Sequence, residues 1–543
     1  MSALPSPPGC GCSIGMCRRR LRRLGSRRSK QSDYWRRRLA PTQTHGGSVR
    51  SGDRPILRAV VAWRRGDPRS AYGARPVDAC CWGVVGDRVL DRVVLMRPVR
   101  STERHFTGWG RYRGAAGTAL LPATTRELAT ADLPSSDLIA RGLGRSYGDA
   151  AQRSGGSVLV TTECNQVRWI DRKSGVVRAD AGVTIGQLIS KYTPKGWFVP
   201  VTPGTSQVTV GGAIAADIHG KNHHVAGSFG QHVRSLRMRL ASDEILNLSP
   251  ASNGELFWAT VGGMGLTGVI IDADIQLLAV PSAIVAVETQ RLQTLDDLLD
   301  EMRRSDEEHD FSVAWVDLLG DARSVLTQGS FARPEQLATL GAATAAGAYR
   351  QPLTTSIGLP RVPFPRVAIT PAVKAFNELW WRKAPAQPTV TAESITAFFH
   401  PLDAITDWNR VYGNTGFVQW QCVVPDSATP SLYELVDRLG DLPSFFTVLK
   451  RFGPGNQSPL SFPAPGWTVA ADLPATAKAL NGLGALDRIV ADAGGRIYLA
   501  KDARMERELF EQMYPRGAEF SAVRASVDPE RRFCSDLSQR LGL

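Results

Sequence analysis

The feature of the sequence that most restricts its fold is the stretch from Pro203 to His224, which reads PGTSQVTVGGAIAADIHGKNHH. It holds four glycines, three alanines placed after Gly211-Gly212, and three histidines. An ordinary core strand does not carry so many residues with small or absent side chains. Glycine permits close backbone approach, and unpaired N–H groups in such a loop form a cradle for phosphate. The stretch therefore predicts backbone that passes against a large flat ligand, such as a bound cofactor.

A second glycine-rich segment, RGLGRSYGD at 141–149, follows a predicted apolar strand at 137–140. A glycine-rich turn directly after a strand commonly holds phosphate. The spacing is not a Rossmann fingerprint, because the third glycine falls one residue late, at Gly148, and no clear amphipathic helix follows. The pattern leaves open a phosphate loop or a plain tight turn.

Two further motifs match known patterns but lie in the wrong context. Residues 263–268 fit G-x-G-x-x-G, yet they follow a predicted helix and precede a strand, the reverse of the order that puts phosphate on a helix N-terminus. Residues 144–148 fit the G-x-S-x-G of hydrolases around Ser146. That motif needs a helix directly after the serine, and residues 150–156 are a poor helix. Neither pattern supports its usual function here.

Charge is distributed unevenly along the 543 residues. The net charge is +14, but residues 1–100 carry 22 Arg and Lys against six Asp, which leaves about −2 for the rest. The part of the chain that looks catalytic therefore gives no nucleic-acid signal. Residues 18–38 are arginine-rich and lack the apolar run of a signal peptide. We interpret residues 1–102 as a disordered basic extension, with an RNA- or lipid-binding tail as an alternative and Met96 as a candidate start.

Cysteine and histidine spacing predicts neither a disulfide framework nor a metal site. Beyond the first hundred residues only three scattered cysteines remain, Cys164, Cys422 and Cys534. The run Cys10, Cys12 and Cys17 lacks a matching second ligand pair. Three histidines lie among glycines that give them no fixed face: His219, His223 and His224. No window approaches the roughly 18 apolar residues of a membrane-spanning helix.

Elsewhere strands alternate with helices. Periodicity predicts a hairpin over 167–181, helices over 184–192 and 255–261, and a strand over 269–278. Further strands are predicted at 394–400 and 495–501. Residues 330–372 are rich in Ala, Gly, Pro and Thr and predict a mobile loop or lid.

The second of these late strands ends at Lys501, between Tyr498 and Asp502. The residues alone leave two interpretations of this lysine open, an acid–base or anion contact or a surface salt bridge.

Six motifs together carry a resemblance to a known family. In chain order they are RGLGRSYGDAA (141–151), PGTSQVTVGGAIAADIHGKNHHVAGSFGQHVRS (203–235), ELFWATVGGMGLTGVI (255–270), FHPLDAITDWNRVYGNTGF (399–417), FGPGNQSPLSFPAPGW (452–467) and RIYLAKDAR (496–504). They closely resemble the decaprenylphosphoryl-β-D-ribose 2′-oxidases, the flavin-dependent half of an epimerase that makes the arabinose donor of arabinan-containing cell walls. The resemblance runs from about Thr107 to Leu543. The glycine motifs alone indicate only the wider vanillyl-alcohol-oxidase-like flavoproteins.

The resemblance implies an α+β fold with a two-lobed, PCMH-type FAD-binding domain of the vanillyl-alcohol-oxidase type. Residues 103–280 would form this domain, and residues 496–543 would return to it. An inserted substrate domain on an antiparallel sheet would span 281–495. Relatives that attach FAD covalently through the first loop carry a histidine at the position of Arg145, so a non-covalent cofactor is expected.

The resemblance also implies the site residues. FAD would contact the first loop, the second stretch and the flavin surroundings: Arg141, Gly142, Leu143, Gly144, Arg145, Ser146, Tyr147, Gly148, Asp149, Pro203, Gly204, Thr205, Thr209, Gly211, Gly212, Ile218, His219, Ile270 and Tyr498. The candidates for catalysis are Lys501, Tyr147 and His219. The implied substrate contacts are Trp315, Gln419, Gln421, Lys450, Ala470 and Lys501.

The implied activity is oxidation of the 2′-hydroxyl of decaprenylphosphoryl-β-D-ribose to the 2′-keto intermediate, the first step of epimerisation. A short-chain NAD(P)-dependent reductase would complete the epimerisation. The implied location is the bacterial cell envelope, peripheral to the plasma membrane on its periplasmic or cytoplasmic face, with no nucleic-acid partner. Two alternatives stay open: a related FAD-dependent sugar or aldonolactone oxidase acting on a soluble polyol, and a non-enzymatic adaptor driven by the basic tail.

One departure from the family yields a test. Nitroaromatic inhibitors of this family capture a pocket cysteine whose position is occupied here by Ala470. Because a thioadduct needs a thiolate, we expect no mass increase when the holoenzyme turns over in the presence of such an inhibitor. The Ala470→Cys variant should gain the adduct, measured by intact-mass spectrometry. An adduct that maps to residues 467–472 of the unmodified sequence would contradict this expectation.

Overall fold

The computed structural model describes residues 99–319, 322–341, 348–349, 357–358 and 370–543. Within them, short helices accompany three main sheets of four, five and eight strands. Most strand pairs are antiparallel. Short 3-10 turns lie at Thr193–Lys195, Phe229–His232, Pro401–Ala404, Trp408–Tyr412 and Asp426–Ala428.

The first sheet has the strand order β1-β2-β4-β3. Its β1 and β2 are antiparallel, whereas β4 is parallel to both β2 and β3. Thr124 caps the helix that follows β2, because its hydroxyl accepts the backbone N–H of Glu127. The bounds are Arg100–Phe106 (β1), Ala115–Leu121 (β2), Thr125–Thr130 (α1), Leu138–Arg141 (β3) and Ser157–Val160 (β4).

The second sheet is antiparallel, in the order β5-β6-β10-β8-β9. The predicted hairpin and the predicted helix over 184–192 are confirmed, and a capping box between Thr184 and Gln187 starts that helix. Residues 263–268 do join a helix to a strand. The bounds are Val167–Asp171 (β5), Val176–Asp180 (β6), Ile185–Tyr192 (α2), Trp197–Phe198 (β7), Val210–Ala215 (α3), His223–Ala226 (α4), Val233–Arg239 (β8), Ile245–Leu248 (β9), Gly254–Thr260 (α5), Val269–Gln276 (β10) and Leu278–Ala279 (β11), with β7 and β11 paired.

The third sheet is antiparallel, in the order β16-β12-β14-β13-β19-β20-β18-β21. Long amphipathic helices pack on one of its faces through buried leucines such as Leu298, Leu435 and Leu483. The strands are Ile284–Leu292 (β12), Phe311–Val316 (β13), Ser324–Phe331 (β14), Ile357–Gly358 (β15), Thr389–Ser394 (β16), Ile405–Thr406 (β17), Phe417–Pro425 (β18), Phe446–Phe452 (β19), Gly466–Pro474 (β20) and Arg496–Ile497 (β21), and β15 pairs with β17. The helices are Leu295–Ser305 (α6), Pro334–Thr339 (α7), Thr370–Lys383 (α8), Ile395–Phe399 (α9), Thr429–Gly440 (α10), Ala477–Asp492 (α11), Arg507–Met513 (α12), Gly517–Val527 (α13) and Asp536–Leu541 (α14).

Three predictions about this part of the chain are wrong in whole or in part. The strand predicted at 394–400 is helix α9, because the Ser394 hydroxyl accepts the N–H of Ala397 and caps a helix there. The strand predicted at 495–501 ends at Ile497, after which the chain turns and the N–H of Lys501 donates to the carbonyl of Tyr498. The predicted lid over 330–372 contains helix α7, and residues 342–347, 350–356 and 359–369 lie outside the described residues.

The C-terminal segment packs against the first glycine loop through one guanidinium. Arg540 on helix α14 lies 2.8 Å from Asp149 of the first loop and 2.8 Å from Asp502, directly after Lys501. Both carboxylates are buried, and Arg540 also donates to the carbonyl of Met505. Leu138 of β3 forms a parallel bridge with Phe533 in the same region. The extreme C-terminus therefore holds the loop and the lysine turn together. In the described part of the chain, no helix is long and apolar enough to span a membrane.

Removing this guanidinium should destabilise the fold strongly. The Arg540→Met variant leaves two buried carboxylates without their cation, so we expect a loss of about 3–5 kcal/mol in the free energy of unfolding, measured by urea denaturation followed by circular dichroism. Arg507→Met is a matched control, because Arg507 pairs with Glu511 and both side chains are more than half exposed; its loss should stay below about 1 kcal/mol. Equal midpoints for the two variants would contradict the assignment.

Candidate active site

One face of the third sheet carries residues that the family resemblance implied for substrate binding. Residues paired across strands, or two apart on one strand, point to the same face. The cross-strand pairs on this face are Gln419 with Asp472, Gln421 with Ala470, Lys450 with Thr468, Val448 with Ala470, and Trp315 with Val448. Trp420, between the two glutamines, points to the opposite face, where its indole donates to Asp487. The implied substrate residues therefore form one surface.

His219 meets this surface through Gln421. The Gln421 amide nitrogen lies 3.0 Å from His219 Nε2 and 3.1 Å from Thr468 Oγ1, so it donates to both. Nε2 is then the acceptor and Nδ1 carries the hydrogen, and Nδ1 is buried with no hydrogen-bond partner in the described structure. Burial, with smaller contributions from cations such as Lys450 and Lys501, lowers the pKa of His219 well below its usual value. A neutral ring thus presents one unsatisfied N–H that a ligand acceptor could take up.

Lys501 and Tyr147 are in direct contact, close to Asp472 and Gln419. The ammonium Nζ lies 3.7 Å from the centre of the Tyr147 ring, which is cation–π contact. Burial lowers the pKa of Lys501, and the nearby carboxylate of Asp472 opposes that shift. Burial also lowers the pKa of Lys450, to about 8, and raises the pKa of Tyr147. Lys501 is half-buried against the Tyr147 ring, so the interpretation of this lysine as a surface salt bridge is wrong.

Asp472 is a site residue that the sequence did not single out. Its Oδ1 accepts the Gln419 amide at 2.6 Å, and its side chain is 2 % exposed. Burial raises the pKa of this carboxyl, while the Gln419 hydrogen bond and the Lys501 ammonium lower it. In the sequence it is one aspartate in an apolar strand, and only the register brings it beside Gln419. A buried carboxyl group close to a lysine is a candidate for tuning the charge of that lysine.

The first glycine loop is fixed by backbone contacts to the turn that carries Lys501. The N–H of Tyr147 donates to the carbonyl of Ala500 at 2.9 Å. A Cβ at Gly148 would lie 1.8 Å from the carbonyl oxygen of Asp502, so only glycine fits there. Gly144 has φ +65°, which also favours glycine. The loop is therefore a rigid support next to the lysine.

The second stretch is held by a carboxylate that the sequence also did not reveal. Asp403 accepts the Thr205 hydroxyl at 2.5 Å, and the Ser206 N–H and hydroxyl at 2.7 Å each. A Cβ at Gly204, in the same segment, would meet nothing within 4 Å. Thr209 then caps helix α3 through its hydroxyl. The backbone of Pro203–Thr209 is thus fixed around open space.

A cavity of about 910 Å³ opens beside these loops. Its lining includes Leu143 from the first loop, Ser206 and Gln207 from the second stretch, and Gly182 and Thr184 from the start of helix α2. This volume is at the upper end of cofactor and ligand pockets. The room beside both loops, the open position at Gly204 and the unpaired Nδ1 of His219 all fit a dinucleotide cofactor with a polar ring system.

Several implied cofactor residues use their side chains elsewhere. The Arg141 guanidinium donates to the carbonyls of Thr107 and Ala151, and the Asp149 carboxylate binds Arg540. The Arg145 guanidinium stacks 3.9 Å from the ring centre of Trp109 and donates to the Gln207 carbonyl. These residues can face a ligand only with their backbone or their outer edge. The hydroxyl of Tyr498 likewise donates to the Ala216 carbonyl. Two further implied cofactor residues, Ile218 and Ile270, have buried apolar side chains.

The other histidines of the stretch have separate environments. The His223 ring lies 4.5 Å from the ring centre of Phe452, and His224 Nε2 bonds to the carbonyl of His309. Among the described residues, no three His, Cys, Asp or Glu side chains are grouped as metal ligands. Trp381 is buried, whereas its neighbour Trp380 is 42 % exposed.

Comparison with known proteins assigns the family. A model for FAD binding domains matches residues 121–249, and one for D-arabinono-1,4-lactone oxidase matches residues 477–541. The chain is 40 % identical over 462 residues to the decaprenylphosphoryl-β-D-ribose oxidase of Mycolicibacterium smegmatis, covering 82 % of this chain and 98 % of that protein. The chain belongs to the decaprenylphosphoryl-β-D-ribose oxidase family. It is an FAD-dependent oxidoreductase.

Two other relatives show how far the similarity extends. An uncharacterised protein of Streptomyces coelicolor is 37 % identical over 379 residues, covering 66 % of this chain and all of that protein. The human Δ24-sterol reductase is 30 % identical over only 109 residues, 20 % of this chain and 21 % of that enzyme. The Mycolicibacterium smegmatis oxidase and the Streptomyces coelicolor protein therefore match along two thirds or more of the chain, whereas the reductase matches only a short segment.

Replacing Asp472 should shift the pH dependence of kcat/KM. Its negative charge favours the charged form of Lys501, so Asp472→Asn lowers the pKa of Lys501 further and leaves less ammonium above neutral pH. We expect the falling limb of the kcat/KM profile to move to lower pH, with a loss on the order of tenfold above neutral pH. Asp441→Asn, an exposed aspartate, is the control. An Asp472→Asn profile that superimposes on the wild-type profile would rule out this coupling.

Proposed function

We propose that this enzyme oxidises the 2′-hydroxyl of a polyprenylphosphoryl ribose, decaprenylphosphoryl-β-D-ribose, to the 2′-keto product. The observation that carries the proposal is the contact of the Lys501 ammonium with the Tyr147 ring, close to the Gln419–Asp472 pair and to a second lysine, Lys450. Two lysines suit a substrate with a phosphate diester and a reacting hydroxyl. The name of the Mycolicibacterium smegmatis relative supports the same substrate.

The proposed FAD is bound without a covalent link. A bound FAD would supply the hydride acceptor for the carbon that carries the hydroxyl. Pro203–Thr209 and the first loop would hold its diphosphate with backbone N–H groups. The N–H of His219 Nδ1, which has no protein partner among the described residues, would donate to a polar atom of the ring system. Arg145 stands where covalent relatives carry histidine, which supports a dissociable cofactor.

The residues of the chain would orient the sugar for oxidation. The Lys501 ammonium can donate a hydrogen bond to the oxygen of the reacting hydroxyl and stabilise the negative charge that develops on it. The half-buried Tyr147 phenol, whose pKa is raised, remains a neutral hydroxyl. Gln419 and Gln421 are anchored by Asp472 and Thr468, so their amides are pre-oriented toward the sugar. Lys450 is the second cation and would hold the phosphate.

We propose a vanillyl-alcohol-oxidase-type domain arrangement, with residues 103–280 and 496–543 around FAD and residues 281–495 as the substrate domain. The contacts of Arg540 with the first loop support the return of the C-terminal segment. Strand β21 pairs with β18, so the segment is also joined to the third sheet. We further propose a location in the bacterial cell envelope, peripheral to the plasma membrane, and a short-chain NAD(P)-dependent reductase as the next enzyme.

One observation favours a second candidate function. The D-arabinono-1,4-lactone oxidase model matches residues 477–541, which include Tyr498 and Lys501. A related oxidase acting on a soluble polyol or aldonolactone would use the same lysine beside the same cofactor. The two functions differ in whether the substrate carries a phosphate and a prenyl chain.

The test is the absorption spectrum of the purified chain under anaerobic conditions. We expect flavin bands that bleach on addition of polyprenylphosphoryl ribose and persist with free ribose or arabinono-1,4-lactone. Acid precipitation should release the flavin into the supernatant, and flavin that stays with the pellet would contradict non-covalent binding. Bleaching by the lactone alone would favour the second function.

Lys501→Met tests the role of the ammonium. The variant should keep its flavin spectrum and bleach about 100-fold more slowly, the scale of one lost transition-state contact. Lys173→Met, an exposed lysine on the β5–β6 turn, is the control and should bleach at the wild-type rate. Unchanged bleaching in Lys501→Met would remove the lysine from the mechanism.

A further inference from the structure

Helix α8 (Thr370–Lys383) forms one wall beside the substrate face. Its inner side is buried through Val373, Asn377 and Trp381. Trp381 packs with Trp315 and Val325 in one hydrophobic cluster. Asn377 donates to the carboxylate of Asp317 at 2.7 Å. The helix is therefore fixed to the sheet next to Trp315, one of the implied substrate residues.

The outer side of the same helix exposes three large apolar side chains. Phe376, Leu379 and Trp380 are 40 %, 69 % and 42 % exposed. Residues three and four apart share one side of a helix, and the rings of Phe376 and Trp380 stack with centroids 6.2 Å apart. Single exposed apolar residues are common on proteins. Three that adjoin on one helix side indicate an interaction surface; we refer to Phe376, Leu379 and Trp380 as the apolar stripe.

Basic groups lie at the C-terminal end of the apolar stripe. Lys383 places its ammonium 5.9 Å from the ring centre of Trp380, and the side chain of Arg382 is 74 % exposed. The helix has one acidic residue, Glu378, which is already paired with Arg323 and Arg382. A Trp- and Leu-bearing helix side with Lys and Arg at its margin has the composition of helices that lie in a membrane interface. Its charge is complementary to anionic lipid phosphates.

We propose that the apolar stripe inserts into the headgroup region of an anionic membrane and docks the enzyme there. This inference rests on the proposed function, since a substrate with a polyprenyl chain resides in a bilayer. Trp381 joins the inner side of the helix to Trp315, so the stripe lies one helix thickness from the substrate face. Docking on this side brings the lipid-linked sugar to the substrate face while its chain stays in the membrane.

The experiment is sedimentation of the full-length holoenzyme with vesicles of phosphatidylcholine, with and without phosphatidylglycerol. We expect co-sedimentation with the anionic vesicles, and a partition coefficient at least about tenfold lower for the double variant Leu379→Ser/Trp380→Ser. Trp169→Ser is the matched control, because Trp169 is 45 % exposed on strand β5 of another sheet. The series is repeated at about 0.5 M salt, where binding by the basic residues 1–100 is screened and insertion of apolar side chains persists.

Turnover measurements on two substrates distinguish a failure of the docking surface from a failure of the proposed function. On a short-chain, water-soluble prenylphosphoryl ribose the double variant should equal wild type, whereas on the decaprenyl substrate in vesicles it should be slower. Vesicle binding through the stripe without turnover of either substrate would contradict the proposed function and support the docking surface.

The measurements give different results if the apolar stripe contacts something other than a membrane. If vesicle binding is unchanged in the double variant and sedimentation equilibrium shows a dimer that the variant dissociates, the stripe contacts a second copy and the proposal is wrong. If the variant lowers the thermal midpoint and leaves vesicle binding unchanged, the chain itself covers the stripe, and the proposal is equally wrong.

Discussion

The contact on which the site depends is the pairing of Arg540 with two buried carboxylates. Asp149 ends the first glycine loop, and Asp502 follows Lys501, so one guanidinium from the last helix joins the two segments. Each carboxylate alone would be an uncompensated buried charge. Arg540 therefore reinforces the direct backbone contact between the loop and the lysine turn, in which the Tyr147 N–H donates to the Ala500 carbonyl.

The substrate side of the site depends on a different constraint, the register of the third sheet. Strands separated by many residues in sequence place Gln419, Gln421, Lys450 and Asp472 on one face, because side chains alternate along each strand. A shift of one residue in β20 would turn Asp472 and Ala470 to the helix-covered side. The interdigitated leucines and tryptophans on that opposite side fix the register, so core packing behind the sheet determines the chemistry in front of it.

The sequence predicted the parts of the fold that local rules decide. The hairpin around Gly175, the capped helix at Thr184 and the helix-to-strand order around Gly263 depend on neighbours within a few residues, and all three are confirmed. The strand predicted at 394–400 failed because aromatic residues suit a strand as well as a helix, and the cap at Ser394 decided between them. Lys501 was predicted as important from family resemblance, but its contact with Tyr147 joins residues far apart in the chain. Asp472 and Asp403 could not be found, since each is a single carboxylate whose partners lie in another segment.

The close approach at Gly148 bears on how accurately the lysine is positioned. The gap between the first loop and the carbonyl of Asp502 has no room for even a methyl group, so two main chains are in direct contact there. Side chains exchange rotamers on the picosecond to nanosecond scale, but main chains in contact have no such freedom. The distance between the Lys501 turn and the first loop is therefore set by contact between their main chains. Substitutions among the surrounding side chains can change the shape of the site without changing that distance.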